Sequence, residues 1–474
     1  MTRAAGVAVV AAALSLSSGD AFAHAFGARY DLPLPLSMYL GAAGLAVAAS
    51  FAAAVMFVKG GQHRLFEIEI EIPAGLARIV STMLAFFGIA LLIVLIIAAF
   101  AGPAEVTSNF ATVFVWVIWW VGFLLVSALV MTLWPMVDPF RHLAMLTSRF
   151  TGIDTVKPIR PLPNYAGYLA PCGIFFLAWI ELISDWSEDP RALGVLICIY
   201  AAAAVGMALI FGAAWFRDAD PLSRLFALLG RLAIIRVTPS NVVVGLPGEG
   251  LQGDIRQPAG ETLLVCVLIG VVLFDGFSET PAWAAVLDYV SESQSLRGTL
   301  LYLREQGIDL LKMIRTLGLL AAVGLTIAVY YSLAWAVCRA ARSDVGTNAT
   351  AAAFASSLLP IAAAYHLSHY TSYLLIAGQL AIPAASDPFA QGWNLFGTAG
   401  YSIDIGVINA RQVWWIAFAA LIAGHSLSVF AGHRRALRLF GDKRSASRSQ
   451  IPMTGAMVGL TVLSLWILSQ PIVE

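Results

Sequence analysis

The chain has 474 residues, of which 59% are hydrophobic and 12% charged, and its formal net charge is zero. Because soluble domains carry about 25% charged residues, this composition excludes an ordinary soluble protein. The charge balance gives no basis for nucleic-acid binding, and the sequence has no phosphate-binding loop and no zinc-ribbon spacing. Apolar runs of membrane-spanning length recur along the chain and predict an all-α polytopic integral membrane protein.

The first 23 residues have the features of a cleaved secretory signal peptide. Arg3 provides a short positive region, an apolar stretch follows, and Ala21-Phe22-Ala23 is a typical cleavage site. Cleavage there leaves His24 as the mature N-terminus, whose α-amine and imidazole can together chelate copper. The alternative is that His24 is only the first residue of a loop. Residues 24–474 are predicted to form one transmembrane helical bundle domain.

Ten membrane helices are predicted after the signal peptide. Their spans are 34–58, 77–101, 111–133, 165–186, 192–216, 259–277, 313–338, 357–381, 411–432 and 453–471. With the mature N-terminus outside, 20 of the 28 Lys and Arg residues fall in inner loops and adjoining helix ends, and only seven fall outside. This positive-inside bias supports both the helix count and the orientation, and it places the C-terminus outside as well.

Two outer loops are long enough to cover a site that opens outward. The stretch 278–312 contains LRGTLLYLREQGIDLLK, which predicts an amphipathic helix at the membrane interface. The stretch 382–410 is rich in Gly, aromatic residues and Asp. In two inner loops an Asp-Pro pair follows a helix end, at Asp138 and Asp220, which indicates either turn chemistry or a faint internal repeat. No separate soluble domain is predicted.

Three of the seven histidines fall at membrane depth, where an imidazole needs a specific partner. His366 and His369 are three residues apart and share a helix face. His425 lies in the next, antiparallel helix. Three histidines with one open position are the ligands of a catalytic zinc site, and they also suit copper or iron. The alternative is a hydrogen-bonded structural cluster between helices.

Two acids lie near the outer ends of predicted helices, Glu181 in the fourth and Asp275 in the sixth. Acids within the membrane are candidates for functional sites. They could orient metal-bound histidines or act as a general base. The alternative is that each side chain only reaches the outer interface.

Several phrases together resemble a known family. They are HAFGARYDLPLPLSMYLGAAG, WPMVDPFR, LFDGFSET, AAYHLSHYTSYLL, NLFGTAGYSIDIG and AGHSLSVFAGHRRAL. In these blocks, which are scattered over nearly the whole mature chain, the sequence is similar to the larger membrane component of bacterial fenitrothion hydrolases. The resemblance implies hydrolysis of an organophosphorus triester with release of a nitrophenol, a second protein subunit, and a place in the bacterial inner membrane. It carries over no catalytic residue.

The function that combines these observations is a metal-dependent membrane hydrolase of an apolar substrate. His366, His369 and His425, with His24, are the predicted ligands of zinc or copper, and Asp275 or Glu181 is the predicted base. Three alternatives remain open: copper handling through His24 and the membrane histidines, a haem held by His425 and His366 or His369, and ion-coupled transport with the same residues as proton sites.

Overall fold

Ten helices in the described part of the chain are long and apolar enough to cross a membrane. The computed structural model describes residues 34–57, 66–153, 158–238, 240–253 and 259–470. The predicted all-α polytopic fold is therefore confirmed. The signal peptide and His24 lie outside the described residues.

The ten spanning helices are listed here with the four other helices of two or more turns. They are α1 (Leu36–Phe57), α2 (Ala74–Ala101), α3 (Phe110–Leu129), α4 (Pro139–Thr151), α5 (Ala166–Ile183), α6 (Pro190–Phe211), α7 (Pro221–Leu229), α8 (Glu261–Ser278), α9 (Pro281–Glu292), α10 (Gln294–Glu305), α11 (Leu310–Ala341), α12 (Thr347–Ser386), α13 (Ala410–Phe440) and α14 (Lys443–Leu468). One-turn helices at Trp134–Val137 and Ala214–Asp218 precede α4 and α7. The spanning helices are all of these except α4, α7, α9 and α10.

A small antiparallel sheet joins two of the predicted inner loops. Its strands are β1 (Glu67–Glu71), β2 (Ile235–Val237) and β3 (Asn241–Gly245), in the order β1-β3-β2. The sequence analysis missed it, although the alternation in EIEIE is the pattern of a half-exposed strand. Glu67 pairs with Arg236 across the sheet. The end of the bundle that carries this sheet is called the sheet side below.

Several arginines of the sheet side are wholly or partly buried and donate hydrogen bonds to other parts of the bundle. Glu261, the first residue of α8, is 1% exposed and accepts hydrogen bonds from Arg224 at 2.7 Å and Arg231 at 2.5 Å. Arg435 is equally buried and donates to the backbone oxygens of Leu251 and Ala353. These partners explain why α13 continues eight residues beyond its predicted end: its last turns are polar, but they are packed against protein.

Both Asp-Pro pairs are helix starts. Asp138 and Asp220 are the N-cap residues of α4 and α7, and each side chain accepts backbone hydrogen bonds from the first turn of its helix. The two caps are also close together, because Ser223 of α7 donates to Asp138 at 3.2 Å. In addition, Tyr200 donates to Asp220 at 2.7 Å. The turn-chemistry interpretation is confirmed. Burial, with the nearby charge of Asp220 adding to it, raises the pKa of Asp138 to about 7.

The buried cap at Asp138 predicts a pH dependence of stability. Because the folded-state pKa is raised above the unfolded value, its contribution is full below about pH 4 and declines as the pH rises toward 7. Asp138→Asn keeps the cap but cannot ionise. Relative to this variant, the wild type should lose about 3 kcal/mol of stability between pH 5 and 8, from roughly 1.4 kcal/mol per pKa unit.

Thermal unfolding midpoints of the detergent-purified protein at pH 5 and pH 8 measure this difference. Asp442→Asn is the matched control, since Asp442 caps α14 but is exposed and its pKa is lowered by the hydrogen bonds it accepts. If the unfolding midpoint changes by the same amount with pH in the wild type and in Asp138→Asn, ionisation of Asp138 does not lower the stability of the folded protein.

Candidate functional site

The group of side chains best placed to bind a cation lies inside the bundle, near the end of α8 away from the sheet. Asp275, Glu279 and His369 each offer a ligand atom, and these atoms all lie within 4.8 Å of one another. Asp275 is 7% exposed, and the other two side chains are half-buried. Two carboxylates and one imidazole suit a borderline divalent ion such as zinc or manganese.

The helix geometry explains why these residues meet. Asp275 and Glu279 are four residues apart at the end of α8 and therefore share a face. His369 comes from α12, and its Nε2 lies 3.0 Å from Oδ2 of Asp275. The Tyr370 hydroxyl donates to the same oxygen at 2.5 Å. Burial raises the pKa of Glu279, with the charge of His369 opposing the shift and that of Asp275 adding to it.

Gly276 lets a tyrosine hydroxyl reach this group. A Cβ atom at Gly276 would lie 2.4 Å from the hydroxyl oxygen of Tyr365, so any larger residue would displace that ring. The Tyr365 side chain is buried, and its hydroxyl has no hydrogen-bond partner among the residues that the structure describes. It also lies close enough to Asp275 and Glu279 to interact with their charges. The Tyr365 hydroxyl is therefore a buried donor without a described partner in the same part of the bundle as the carboxylates.

A π-helix in α3, Phe114–Phe123, lines the other side of the site. The Val121 backbone lies near the ring of His366. The Trp120 indole lies near the carboxylate of Glu181 in α5. Segments of π-helix are rare and occur frequently at functional sites. Here two successive residues of the π-helix lie near two of the side chains predicted from the sequence.

Two of the predicted site residues, Asp275 and His369, are brought into direct contact. His366 packs against Tyr370 with 4.7 Å between ring centroids, and the Tyr370 hydroxyl donates to Asp275. His366 and Glu181 do not belong to the group of ligand atoms within 4.8 Å of one another. Glu279 was not among the predicted site residues. Its position four residues after Asp275 is the signal that could have identified it, although it follows the apolar run.

His425 does not join them. Ser368 donates to the backbone oxygen of Ala417 at 3.2 Å, and Ser428 donates to that of Ser357 at 2.5 Å. This register of α12 against α13 puts His425 opposite residue 360, about 9 Å along the axis from His366 at 1.5 Å per residue. The three predicted histidines therefore do not lie together, and the described residues whose ligand atoms do lie together are Asp275, Glu279 and His369.

His425 lies in a different environment from His366 and His369. Its Nδ1 lies 2.8 Å from the Leu421 carbonyl, and its Nε2 is fully buried with no hydrogen-bond partner in the described part of the chain. The same register separates His425 from His369 by about 13 Å along the axis. The haem alternative pairs His425 with one of two histidines from which this register separates it along the axis. His24 lies outside the described residues.

The two predicted outer loops lie at the same end of the bundle as the site. In the first, α9 follows Glu279 directly, and Trp283 packs edge-on against Phe274 at 5.4 Å between ring centroids. The amphipathic helix predicted within this stretch is α10. In the second, Gln379 near the end of α12 donates to the Asp404 backbone at 2.9 Å, which folds the loop back onto α12.

Comparison with known proteins identifies no relative: no family model matches the chain, and no curated protein and no solved structure matches it.

Proposed function

We propose that this protein is a membrane-embedded, metal-dependent hydrolase of apolar esters, with organophosphorus triesters such as fenitrothion as the substrate class. The observation that supports this most directly is the set of ligand atoms from Asp275, Glu279 and His369 inside an apolar helix bundle. Ester hydrolysis at a metal needs protein ligands that leave positions open for water and substrate, and three protein ligands do this.

Two residues near the metal ligands are assigned the other roles that ester hydrolysis needs. A divalent ion would lower the pKa of a bound water and polarise the phosphoryl or thiophosphoryl group. Glu181 is a further carboxylate whose charge interacts with that of Asp275, and we assign it to activation of that water. Tyr365 has a buried hydroxyl without a partner and is assigned to donate to the oxygen that gains negative charge.

The surroundings of the site fit an apolar substrate that arrives from lipid. A narrow cleft between α8, α12 and α14 has a volume of about 10 Å³ and is lined by apolar side chains together with Tyr365 and Ser464. This is the size of a single water. Because Tyr365 forms part of its wall, separation of α12 from α14 would open a path from the bilayer to the site.

The location proposed for the chain is the bacterial inner membrane, with the sheet side inward and both termini outward. The buried and exposed arginines of the sheet side, such as Arg217, Arg231 and Arg435, support this orientation under the positive-inside rule. A second subunit remains part of the proposal through the family resemblance.

The proposal is tested by phenol release from fenitrothion by the detergent-purified chain. Activity should disappear with a chelator and return with zinc. His369→Ala should lower the rate at least about 100-fold, since it removes a metal ligand. His142→Ala is the matched control, because His142 is half-buried outside the site and contacts only the Met136 carbonyl among the described hydrogen bonds. Full activity in the chelated protein would contradict the proposal.

A second candidate function, ion-coupled transport, is favoured by one observation. Tyr370, Asp275 and His369 form a hydrogen-bonded chain within the membrane, which is the arrangement of a proton relay. A metal-free protein with no hydrolytic activity whose proton-coupled uptake is lost in His369→Ala would favour this function over the hydrolase.

A further inference from the structure

We propose that the sheet formed by β1, β2 and β3 is a docking surface for an extended segment of a partner protein in which basic and β-branched residues alternate. The segment would pair with β1 and become a fourth strand of the sheet. This inference is independent of the proposed function, since the sheet lies at the end of the bundle away from Asp275. It is carried by the register of the three strands and by the exposure of their side chains.

The two edges of the sheet differ in how they are covered. At the β2 edge, the N–H of Ile235 donates to the Val130 carbonyl at 2.9 Å, and its carbonyl accepts from the N–H of Thr132 at 3.0 Å. Both partners directly follow α3, so the end of that helix closes this edge. β1 forms the other edge, and no described strand lies beyond it. Glu69 and Glu71 are exposed there, so the sheet can be extended only at β1.

The register shows which backbone groups of β1 face outward. The N–H of Ile72 donates to the Ser240 carbonyl at 2.8 Å, and in an antiparallel pair the hydrogen-bonded positions recur at every second residue. The even-numbered residues of β1 therefore bond to β3, and the N–H and C=O groups of Glu69 and Glu71 point away from it. A row of outward backbone groups on an exposed edge is a template for another strand.

The faces of the sheet are reversed relative to an ordinary antiparallel sheet, which turns its apolar face to the core. The polar face lies against the bundle: Arg236 pairs with Glu67, and a Cβ atom at Gly250 would lie 2.9 Å from its Nη1. The register aligns six β-branched side chains on the other face, in the rows Ile68, Val244, Ile235 and Ile70, Val242, Val237. None of the six is buried, and Ile68 and Ile70 are 48% and 52% exposed. Contiguous exposed apolar side chains mark interaction surfaces.

The length of α2 favours a protein over the bilayer as the occupant of this face. α2 has 28 residues, and its uninterrupted apolar run begins only after Arg78, Ser81 and Thr82. About 20 residues are enough to cross the hydrocarbon core. Residues 74–82 therefore carry the sheet about 13 Å beyond the hydrocarbon at 1.5 Å per residue. The headgroup region is only about 5–7 Å deep, so lipid tails do not reach the sheet.

The charges of β1 select among protein strands. A second copy that paired through its own β1 would place glutamate opposite glutamate, because the outward backbone groups of both strands belong to glutamates. Like charges directly opposite are destabilising. A strand with Lys or Arg opposite Glu69 and Glu71 meets opposite charges instead, and its β-branched residues extend the two apolar rows. Charges also protect an edge from aggregation, but protection does not account for the exposed apolar face.

Fluorescence anisotropy of labelled peptides added to the full-length protein, in detergent and in lipid nanodiscs, tests the docking surface. The probe is a short peptide in which Lys and Val alternate. It should bind at least about 10-fold more tightly than a peptide of alternating Glu and Val. Methylation of its lysine backbone nitrogens should lower the affinity at least about 10-fold, because those N–H groups face β1. Methylation of the valine nitrogens, which face away, should have little effect.

A charge reversal on the protein should reverse the preference. Glu69→Lys/Glu71→Lys changes two exposed side chains and should bind the Glu–Val peptide more tightly than the Lys–Val peptide. Glu292→Lys/Glu305→Lys is the matched control, because both glutamates are exposed at the other end of the bundle. This control should keep the wild-type preference.

Four outcomes would overturn the inference. Equal effects of methylation at lysine and valine nitrogens would mean that the peptide is attracted by charge without pairing as a strand. Binding in detergent that disappears in nanodiscs would assign the apolar face to the bilayer. No binding to a wild type that is dimeric by light scattering would assign the edge to a second copy. No binding to a monomeric wild type would remove the docking surface altogether. The methylated peptides test the wild-type protein, so the inference stays testable even if a variant does not fold.

Discussion

Asp275→Asn is expected to abolish metal binding and to lower the rate of ester hydrolysis at least about 1000-fold, or about 4 kcal/mol of transition-state stabilisation. The substitution keeps the size of the side chain but removes the charge that faces His369, Tyr370 and Glu279. The loss should exceed that of Glu181→Gln, because Glu181 is not among the three residues whose ligand atoms lie together.

Metal content by mass spectrometry and phenol release measured on the same sample check this prediction. The matched control is Asp288→Asn, because Asp288 is exposed on α9 at the same end of the bundle. The control should keep full metal content and activity. An Asp275→Asn protein with normal helix content, bound metal and undiminished turnover would show that Asp275 has no part in the chemistry.

Glu261→Ala is expected to cause the largest loss of stability of any single change on the sheet side, about 3–5 kcal/mol. The substitution leaves Arg224 buried and Arg231 mostly buried without their shared carboxylate, since their side chains are 8% and 27% exposed. Removing one partner of a buried ion pair leaves an uncompensated charge. Because Glu261 begins α8, the loss should also loosen the helix that carries Asp275.

The thermal unfolding midpoint in detergent, at one scan rate, measures this effect. Asp218→Ala is the matched control: it removes the carboxylate of an exposed pair with Arg217, whose side chain is 72% exposed, and should cost no more than about 1 kcal/mol. The double variant Arg224→Met/Glu261→Met should recover part of the stability lost in Glu261→Ala. Equal midpoints for Glu261→Ala and Asp218→Ala would rule out a stabilising role for the buried cluster.

The spanning helices could be predicted from the sequence because length and hydropathy determine them locally. Each helix in a bilayer satisfies its own backbone hydrogen bonds, so an apolar run of about 20 residues is enough to predict one. The predicted ends were least accurate where polar residues continue the helix. At Arg434 and Arg435 the continuation depends on Glu249 and on the backbone at Leu251, which are distant in sequence.

The candidate site could be predicted only in part. His366, His369, Asp275 and Glu181 stand out because polar groups in apolar runs are rare. The exclusion of His425 depends on the register of α12 against α13, which Ser368, Ser428 and the close packing of Gly424 on Pro360 determine. The π-helix has no recognised sequence signal, so its position beside His366 and Glu181 could not be foreseen.

We expect the metal ion to be bound by Asp275, Glu279 and His369, and not by the predicted set of His366, His369 and His425. Zinc content of the purified Glu279→Gln and His425→Ala proteins, measured beside the wild type, tests it most directly. We expect Glu279→Gln to lose zinc and His425→Ala to retain the wild-type amount. Loss of zinc in His425→Ala with full retention in Glu279→Gln would contradict the site described here.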